Sequence, residues 1–256
     1  MSDSHFNEDG SFQAVPQKAQ SQNLPGLEKN MEPASQATKL EGAGQAYEYL
    51  AAGKLKGCKA LITGGDSGIG RSVAVLYARE GADVSIYVDA FGDLHVLVNN
   101  ASKQIMCEEF TDIDMENVES TFRSNILQMF AVTKYALPHM KKGGSIINTT
   151  STVAFRGTAA MVDYAATKGA IVSFTRALAK NLMPKGIRVN AIAPGPVHTP
   201  LQPASRPAEQ MEGFGGKSGI GRIGQPSEIA PSFVFLASKD AELYYGQVLH
   251  AYPLGD

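Results

Sequence analysis

The apolar positions of this chain fall into short runs that alternate with longer periodic stretches, starting at Lys59. Lys59–Thr63 is a compact apolar run, then come glycines, then Arg71–Glu80 with apolar residues at 73, 76 and 77 and Gly81 as a stop. That pattern predicts strand, turn and helix. Asp83–Tyr87 and His95–Val98 read as further buried strands. Met115–Met140 carries Val118, Phe122, Met129, Val132 and Ala136 on one face and predicts one long helix. Ser145–Asn148 and Arg188–Ile192 predict strands, and Val162–Leu182 a helix with Ile171, Phe174, Leu178 and Leu182 in one stripe. Ser227–Ala237 predicts a helix and Gln247–Ala251 a last strand. Such alternation implies an α/β domain, with a mostly parallel sheet covered on both faces. Residues 1–45 break the pattern. They are rich in Gln, Ser, Asn, Pro and Gly, and have too few aliphatic residues to offset their chain entropy. They are expected to be a polar N-terminal extension, mostly disordered or draped on a single domain at 46–256. A short helix is expected near Gln45–Ala52.

Composition narrows the class. The chain has 256 residues, 43% apolar and 19% charged, enough for a substantial core. A net charge of −2 offers no basic surface for nucleic acid. The two cysteines, Cys58 and Cys107, lie too far apart for a disulfide framework or a cysteine zinc site and read as small buried residues. The histidines at 5, 95, 139, 198 and 250 are scattered singly, so no metal is expected. No stretch approaches a membrane span and no basic-then-apolar segment opens the chain. The expectation is a soluble, cytoplasmic protein without membrane or nucleic-acid partners.

The candidate chemistry begins with Thr63-Gly64-Gly65-Asp66-Ser67-Gly68-Ile69-Gly70, between the first strand and the first helix. Glycines there let the backbone turn tightly and approach a pyrophosphate, which the helix N-terminus receives. Gly64, Ser67, Gly68, Ile69 and Gly70 are therefore candidate phosphate contacts. Gly216–Gly221 looks similar but follows no strand, and reads as loop. Tyr164 and Lys168 stand one turn apart on one helix face. Ser151 follows the strand Ser145–Asn148 at the carboxyl end, where ligands sit in open α/β sheets. Asn125 interrupts an otherwise apolar helix face, where a buried amide must find partners.

From about Lys56 onward the chain resembles the short-chain dehydrogenase/reductase family. The elements that carry the resemblance are Thr63-Gly64-x-x-x-Gly68-x-Gly70, Asn99-Asn100-Ala101, Asn125, Ser151, Tyr164-x-x-x-Lys168 and Pro194-Gly195. The resemblance implies a Rossmann-type doubly wound fold and an NAD- or NADP-dependent enzyme interconverting a hydroxyl and a carbonyl. It implies that Tyr164 exchanges the proton with the substrate oxygen. Lys168 would lower the tyrosine's pKa and bind the nicotinamide ribose, Ser151 would hydrogen-bond the substrate, and Asn125 would hold a water linking Lys168 to solvent. Asn99, Ala101, Pro194, Gly195, Val197 and Thr199 fall where the family contacts its cofactor. Lys54–Thr63, Asn99–Gln104 and Gly221–Pro226 look like the glucose/ribitol dehydrogenase-like branch. That likeness implies a small alcohol, ketone or polyol substrate, and the family implies a homodimer or homotetramer.

The pattern breaks after Tyr87. The family places a helix, a strand and a second helix between its second and fourth strands, and only Val88–Leu94 stands there. Roughly 45 residues, the size of one strand and two helices, are missing from the expected pattern. Eight extended residues span at most about 26–29 Å, against a straight path of about 20 Å across the sheet, so the link must be nearly taut. The third strand and its flanking helices are expected to be absent, and so is the usual ribose selector; Asp89 reads either as its stand-in or as a plain solvent-facing carboxylate, which leaves NAD against NADP open. The C-terminal Tyr252–Asp256 lacks the family's glycine pair. The alternative reading is a catalytically impaired relative, shortened by splicing or in its gene model, that binds cofactor weakly or serves as an oligomer subunit.

Overall fold

Two short strands precede the central sheet in the computed structural model, which describes residues 6–7, 10–12, 19–85, 92–216 and 218–253. β1 (Lys39–Gly42) and β2 (Gln45–Glu48) pair antiparallel, with Gly42 opposite Gln45. This corrects the helix expected near Gln45–Ala52. Ala43 and Gly44 both adopt positive φ, 53° and 77°. Positive φ at both loop residues is the geometry of a two-residue hairpin whose twist suits its strands.

The central sheet holds β3 (Lys59–Ile62), β4 (Asp83–Ser85), β5 (Leu94–Asn99), β6 (Met140–Thr149), β7 (Arg188–Pro194) and β8 (Val248–Ala251). All pairings are parallel, in the order β4-β3-β5-β6-β7-β8. β4 thus lies at an edge, and the chain passes across β3 to begin β5. Residues 86–91 lie outside the described residues. They include Asp89, the end of the expected strand Asp83–Tyr87 and most of the short link.

Alternation along the strands sends side chains to two cores. Ala60, Ile62, Val96, Val98 and Ile147 pack with Leu76 and Tyr77 of α1 (Gly68–Arg79) and with Phe233. Leu61, Leu97, Ile146 and Val189 pack on the other face with Ala136, Ala179 and Leu182. The stretch expected as one long helix is α2 (Met115–Phe122), a π turn at Arg123–Leu127 and α3 (Gln128–Ala136). The break centres on Asn125, a buried amide that the flanking apolar face cannot satisfy. Then come α4 (Val153–Arg156), α5 (Val162–Leu182, as expected), α6 (Leu201–Ser205) and α7 (Pro226–Ala237). Gly213–Gly216 and Ser218–Gly221 are turns and bends, with residue 217 outside the described residues.

Residues 19–38 lie on the domain as a strap. The Gln22 N–H donates to Pro203 O (2.9 Å), the Ser72 hydroxyl to Ala37 O (2.6 Å), the Gln36 N–H to Gln225 Oε1 (3.0 Å) and the Ser227 N–H to Gln36 O (3.0 Å). All four use main-chain groups of the strap, which is how so polar a segment takes a fixed course with little apolar burial. Residues 1–5, 8–9 and 13–18 of the extension lie outside the described residues.

Glu80, buried at the end of α1, clasps the linker into the domain. Its carboxylate accepts from the Tyr49 hydroxyl and from the Lys54 (2.7 Å) and Ala52 (3.1 Å) amides. Burial pushes its pKa up, but these donors outweigh that and hold it below the ordinary carboxylate value. Glu80→Ala is expected to cost about 2–3 kcal/mol, because it leaves three donors without their acceptor. A group with a lowered folded pKa stabilises above its ordinary value and loses that effect as pH falls through the folded one. The gap between wild type and variant should therefore shrink below about pH 4, as read by urea denaturation at pH 7 and pH 3.5.

Candidate active site

The cleft lies at the carboxyl ends of β3, β5, β6 and β7, the ligand position of an open parallel sheet. It encloses about 250 Å³ between the glycine turn, Asn100–Ser102, Thr149–Ser151, Tyr164, Lys168 and the loop 194–202. Gly64, Ser67, Gly68 and Ile69 line it, whereas Gly70 does not. Gly70 makes the turn possible. A Cβ there would stand 2.0 Å from Gly64 O and 2.6 Å from Asn100 Nδ2. Gly70→Ala is therefore expected to force the turn open and lower cofactor affinity by about tenfold or more, as measured by calorimetric titration.

The loop after β5 is fixed by Thr63. Its Oγ1 accepts from the amides of Asn100 (2.9 Å) and Ala101 (3.1 Å), which seats both residues on the cleft wall. Asn99 is a correction. Its Nδ2 donates to Asn148 Oδ1 (2.9 Å) and Thr133 Oγ1 (3.1 Å), and Asn148 Nδ2 continues to Thr175 Oγ1 (3.0 Å). The alternation of β5 turns Asn99 beneath the sheet, as a buried tie to α3 and α5, and Asn100 takes its place in the cleft.

Tyr164 and Lys168 share the inner face of α5, 7% and 2% exposed. Lys168 Nζ donates to Thr149 O (3.0 Å) and stands 5.2 Å from the centre of the Tyr164 ring. Val153, Met161 and Met106 pack around that ring. Burial pushes the Tyr164 pKa up to about 12, while the Ser151 hydroxyl, bonded to it, and the positive charge of Arg206 pull it down. Burial pulls Lys168 down to about 7. Lys168, drawn down by its own burial, is not among the groups that pull Tyr164 down; Ser151 and Arg206 are.

Asn125 braces this turn of α5. Its Nδ2 donates to Lys103 O (2.8 Å) and Thr167 Oγ1 (3.0 Å), and its Oδ1 accepts from the Lys103 amide (2.7 Å) and the Ser102 hydroxyl (3.2 Å). Thr167 Oγ1 in turn donates to Tyr164 O (2.7 Å). Asn125 therefore couples the wall 101–103 to the helix turn that carries Tyr164 and Lys168. Pro194, Gly195, Val197 and Thr199 line the far wall. Gly195 is held close by Tyr252, whose Cβ would be 2.8 Å from an added Cβ.

The site includes residues that sequence reasoning missed. Pro25 and Gly26 of the strap line the cleft, and a Cβ on Gly26 would stand 2.2 Å from Pro200 O. Glu28 Oε2 accepts from the Gly68 amide (2.9 Å), and His198 Nε2 lies 2.8 Å from Pro33 O. No local pattern marks these contacts. Among the described residues no group of three or more His, Cys, Asp or Glu could hold a metal.

Residues 84–251 match the family model described as enoyl-(acyl carrier protein) reductase. The glucose and ribitol dehydrogenase of Daucus carota is 43% identical, covering 93% of this chain and 95% of that protein. The chain belongs to the short-chain dehydrogenase/reductase family. The chloroplastic NADPH-dependent aldehyde reductase 1 of Arabidopsis thaliana is 42% identical over 88% of this chain and 93% of its own. A short-chain dehydrogenase from Burkholderia cenocepacia J2315, solved with NADP, superposes with a TM-score of 0.70 at 27% identity, covering 77% of this chain and 97% of that one. The carrot match runs over 286 residues, more than the 256 of this chain, so part of that relative has no counterpart here. As a family member the protein is an NAD(P)-dependent oxidoreductase acting on small molecules. The comparisons do not favour the impaired-relative alternative.

Proposed function

We propose that the protein interconverts a hydroxyl and a carbonyl on a small sugar, polyol or aldehyde, with Tyr164 exchanging the proton. The observation that carries this is Tyr164 itself, buried against the cleft with Ser151 bonded to it and Lys168 one turn away. The glycine turn and its helix N-terminus suit a pyrophosphate, and Asn100, Ala101, Lys168, Pro194, Gly195, Val197 and Thr199 would hold the ribose and nicotinamide. The cofactor supplies or takes the hydride. In reduction the Tyr164 hydroxyl gives its proton to the substrate oxygen, which Ser151 orients; in oxidation the steps reverse. Asn125 holds Tyr164 and Lys168 in register, and a water on its turn would pass protons to Lys168.

We read the unmatched part of the carrot relative as a segment between β4 and β5, which leaves β4 at the sheet edge. Leu127, Phe130 and Tyr135 are exposed, and Phe130 packs on Phe174 at 4.5 Å. This apolar face of α3 and α5 supports a homodimer or homotetramer. No helix among the described residues is long and apolar enough to cross a membrane; a cytoplasmic location remains our reading of the sequence.

The test is the melting temperature with millimolar NAD, NADH, NADP and NADPH, followed by turnover of glucose, ribitol and small aldehydes. An upward shift with one redox pair and turnover with it are expected, since a ligand of the folded state stabilises by mass action. A folded sample with no shift under any of the four would defeat the reading.

A further inference from the structure

A second cavity of about 380 Å³ lies beside the main cleft, bordered by Met106, which packs on Tyr164. Gln104, Met106, Glu108, Ser205, Arg206 and Gln210 line it, and Leu24 of the strap also borders it. Gln202, which lines the main cleft, connects the two: its Oε1 accepts from Arg206 and from Gln104 Nε2 (3.4 Å). Gln104 is 3% exposed and also donates to Ser205 Oγ at 2.7 Å. These bonds tie the polar wall of the second cavity to the reacting end of the first.

Arg206 is the unusual member. Its guanidinium rests 4.4 Å from the centre of the Phe214 ring and is partly buried, which pulls its pKa down. Yet no carboxylate among the described residues lies within ion-pair distance of it, whereas the buried Arg222 holds both Glu41 and Glu228. Of its five donors, one is spent on Gln202. A partly buried guanidinium with no carboxylate partner among the described residues is a cost that the fold alone does not explain. Its positive charge is also felt at the Tyr164 hydroxyl. Glu108 lines the same cavity, with Oε1 accepting from Gln210 Nε2 (3.1 Å), and supplies an acceptor for hydroxyl groups.

We propose that Arg206 forms a subsite for the anionic end of a hydroxylated substrate whose reacting carbon lies at Tyr164, with Gln104, Ser205 and Glu108 facing the hydroxyls between. The substrate class is then a sugar bearing a phosphate or a carboxylate at the end remote from the carbon that is oxidised. An anion there would meet the forked donors of Arg206, and the hydroxyls between would meet Gln104, Ser205 and Glu108. This inference rests on the oxidoreductase reading and refines its substrate.

The test uses three sugars that share the same reacting carbon: glucose, glucose 6-phosphate and glucuronate. Steady-state kinetics with the preferred cofactor are run on wild type, Arg206→Gln and Arg206→Lys, together with calorimetric titration of each sugar and a melting curve. Wild type is expected to prefer one of the two anionic sugars over glucose by about tenfold or more in kcat/KM, and which one distinguishes phosphate from carboxylate. In Arg206→Gln the loss for that anion should exceed the loss for glucose by about tenfold and appear in KM; Arg206→Lys should recover part of it. Equal losses for all three sugars, or no anion preference in wild type, would overturn the subsite and leave Arg206 a staple of its loop. Anion binding that Arg206→Gln abolishes, with no turnover of any sugar, would uphold the subsite and defeat the oxidation of these sugars instead.

Discussion

Tyr164→Phe is expected to lower kcat by about 10²–10⁴-fold, the usual worth of a positioned proton donor, and to leave the melting temperature nearly unchanged. The ring remains in its pocket of Val153, Met161 and Met106, so packing survives. Only the hydroxyl and its bond to Ser151 go. Cofactor affinity, read by titration, should change little. Turnover within threefold of wild type would assign the proton to another group, and a collapse of the melting transition would mark Tyr164 as structural. Because burial raises the tyrosine's pKa to about 12, oxidation, which needs the tyrosinate, should quicken as pH rises from 7 to 10. Reduction should lack that rise.

Lys168→Met should separate activity from stability. The ordinary lysine holds its proton to about 10.5, while this buried one releases it near 7. Between those values the unfolded chain binds the extra proton, so the wild type gains stability as pH rises across that window. Below pH 7 the folded state bears the full cost of a charged, desolvated amine, on the order of a few kcal/mol. Methionine is of similar length and carries no charge. The variant is expected to melt several degrees higher at pH 6 than wild type, with the gain fading above about pH 10, while turnover falls by about 10²-fold or more. A gain independent of pH, or none, would show that Lys168 is not desolvated. Differential scanning calorimetry of the cofactor-free protein from pH 6 to pH 10.5 decides it.

The residues differ in how plainly they announced themselves. The bounds of α5 were legible because its apolar stripe, Ile171, Phe174, Leu178 and Leu182, carries the helix to its last turn, with Tyr164 and Lys168 one turn apart ahead of it. The glycine turn was legible because strand and helix flank it closely. Asn99 and Asn100 were confused because the motif names both, while only strand alternation says which one faces the cleft. The π turn left a single trace, a polar residue on an apolar face, and helical periodicity has no symbol for one extra residue per turn. Glu28 and Gly26 left none. Their partners, Gly68 and Pro200, are distant in sequence, and contacts made by single carboxylates and bare backbone carry no period. Arg206 is similar: its meaning lies in having no carboxylate partner among the described residues, which only three dimensions reveal.

The strap has a consequence for the order in which the protein comes into being. Gln36 bonds to Gln225, 189 residues further on. Residues that leave the ribosome first must therefore wait, unseated, until nearly the whole chain has followed, and contacts of such long sequence separation form slowly. The cleft thus gains one of its walls only at the close of folding. A fusion partner attached ahead of the strap would burden this late step, whereas one attached after β8 would not, and the same enzyme could look sluggish or sound according to which end carries the tag.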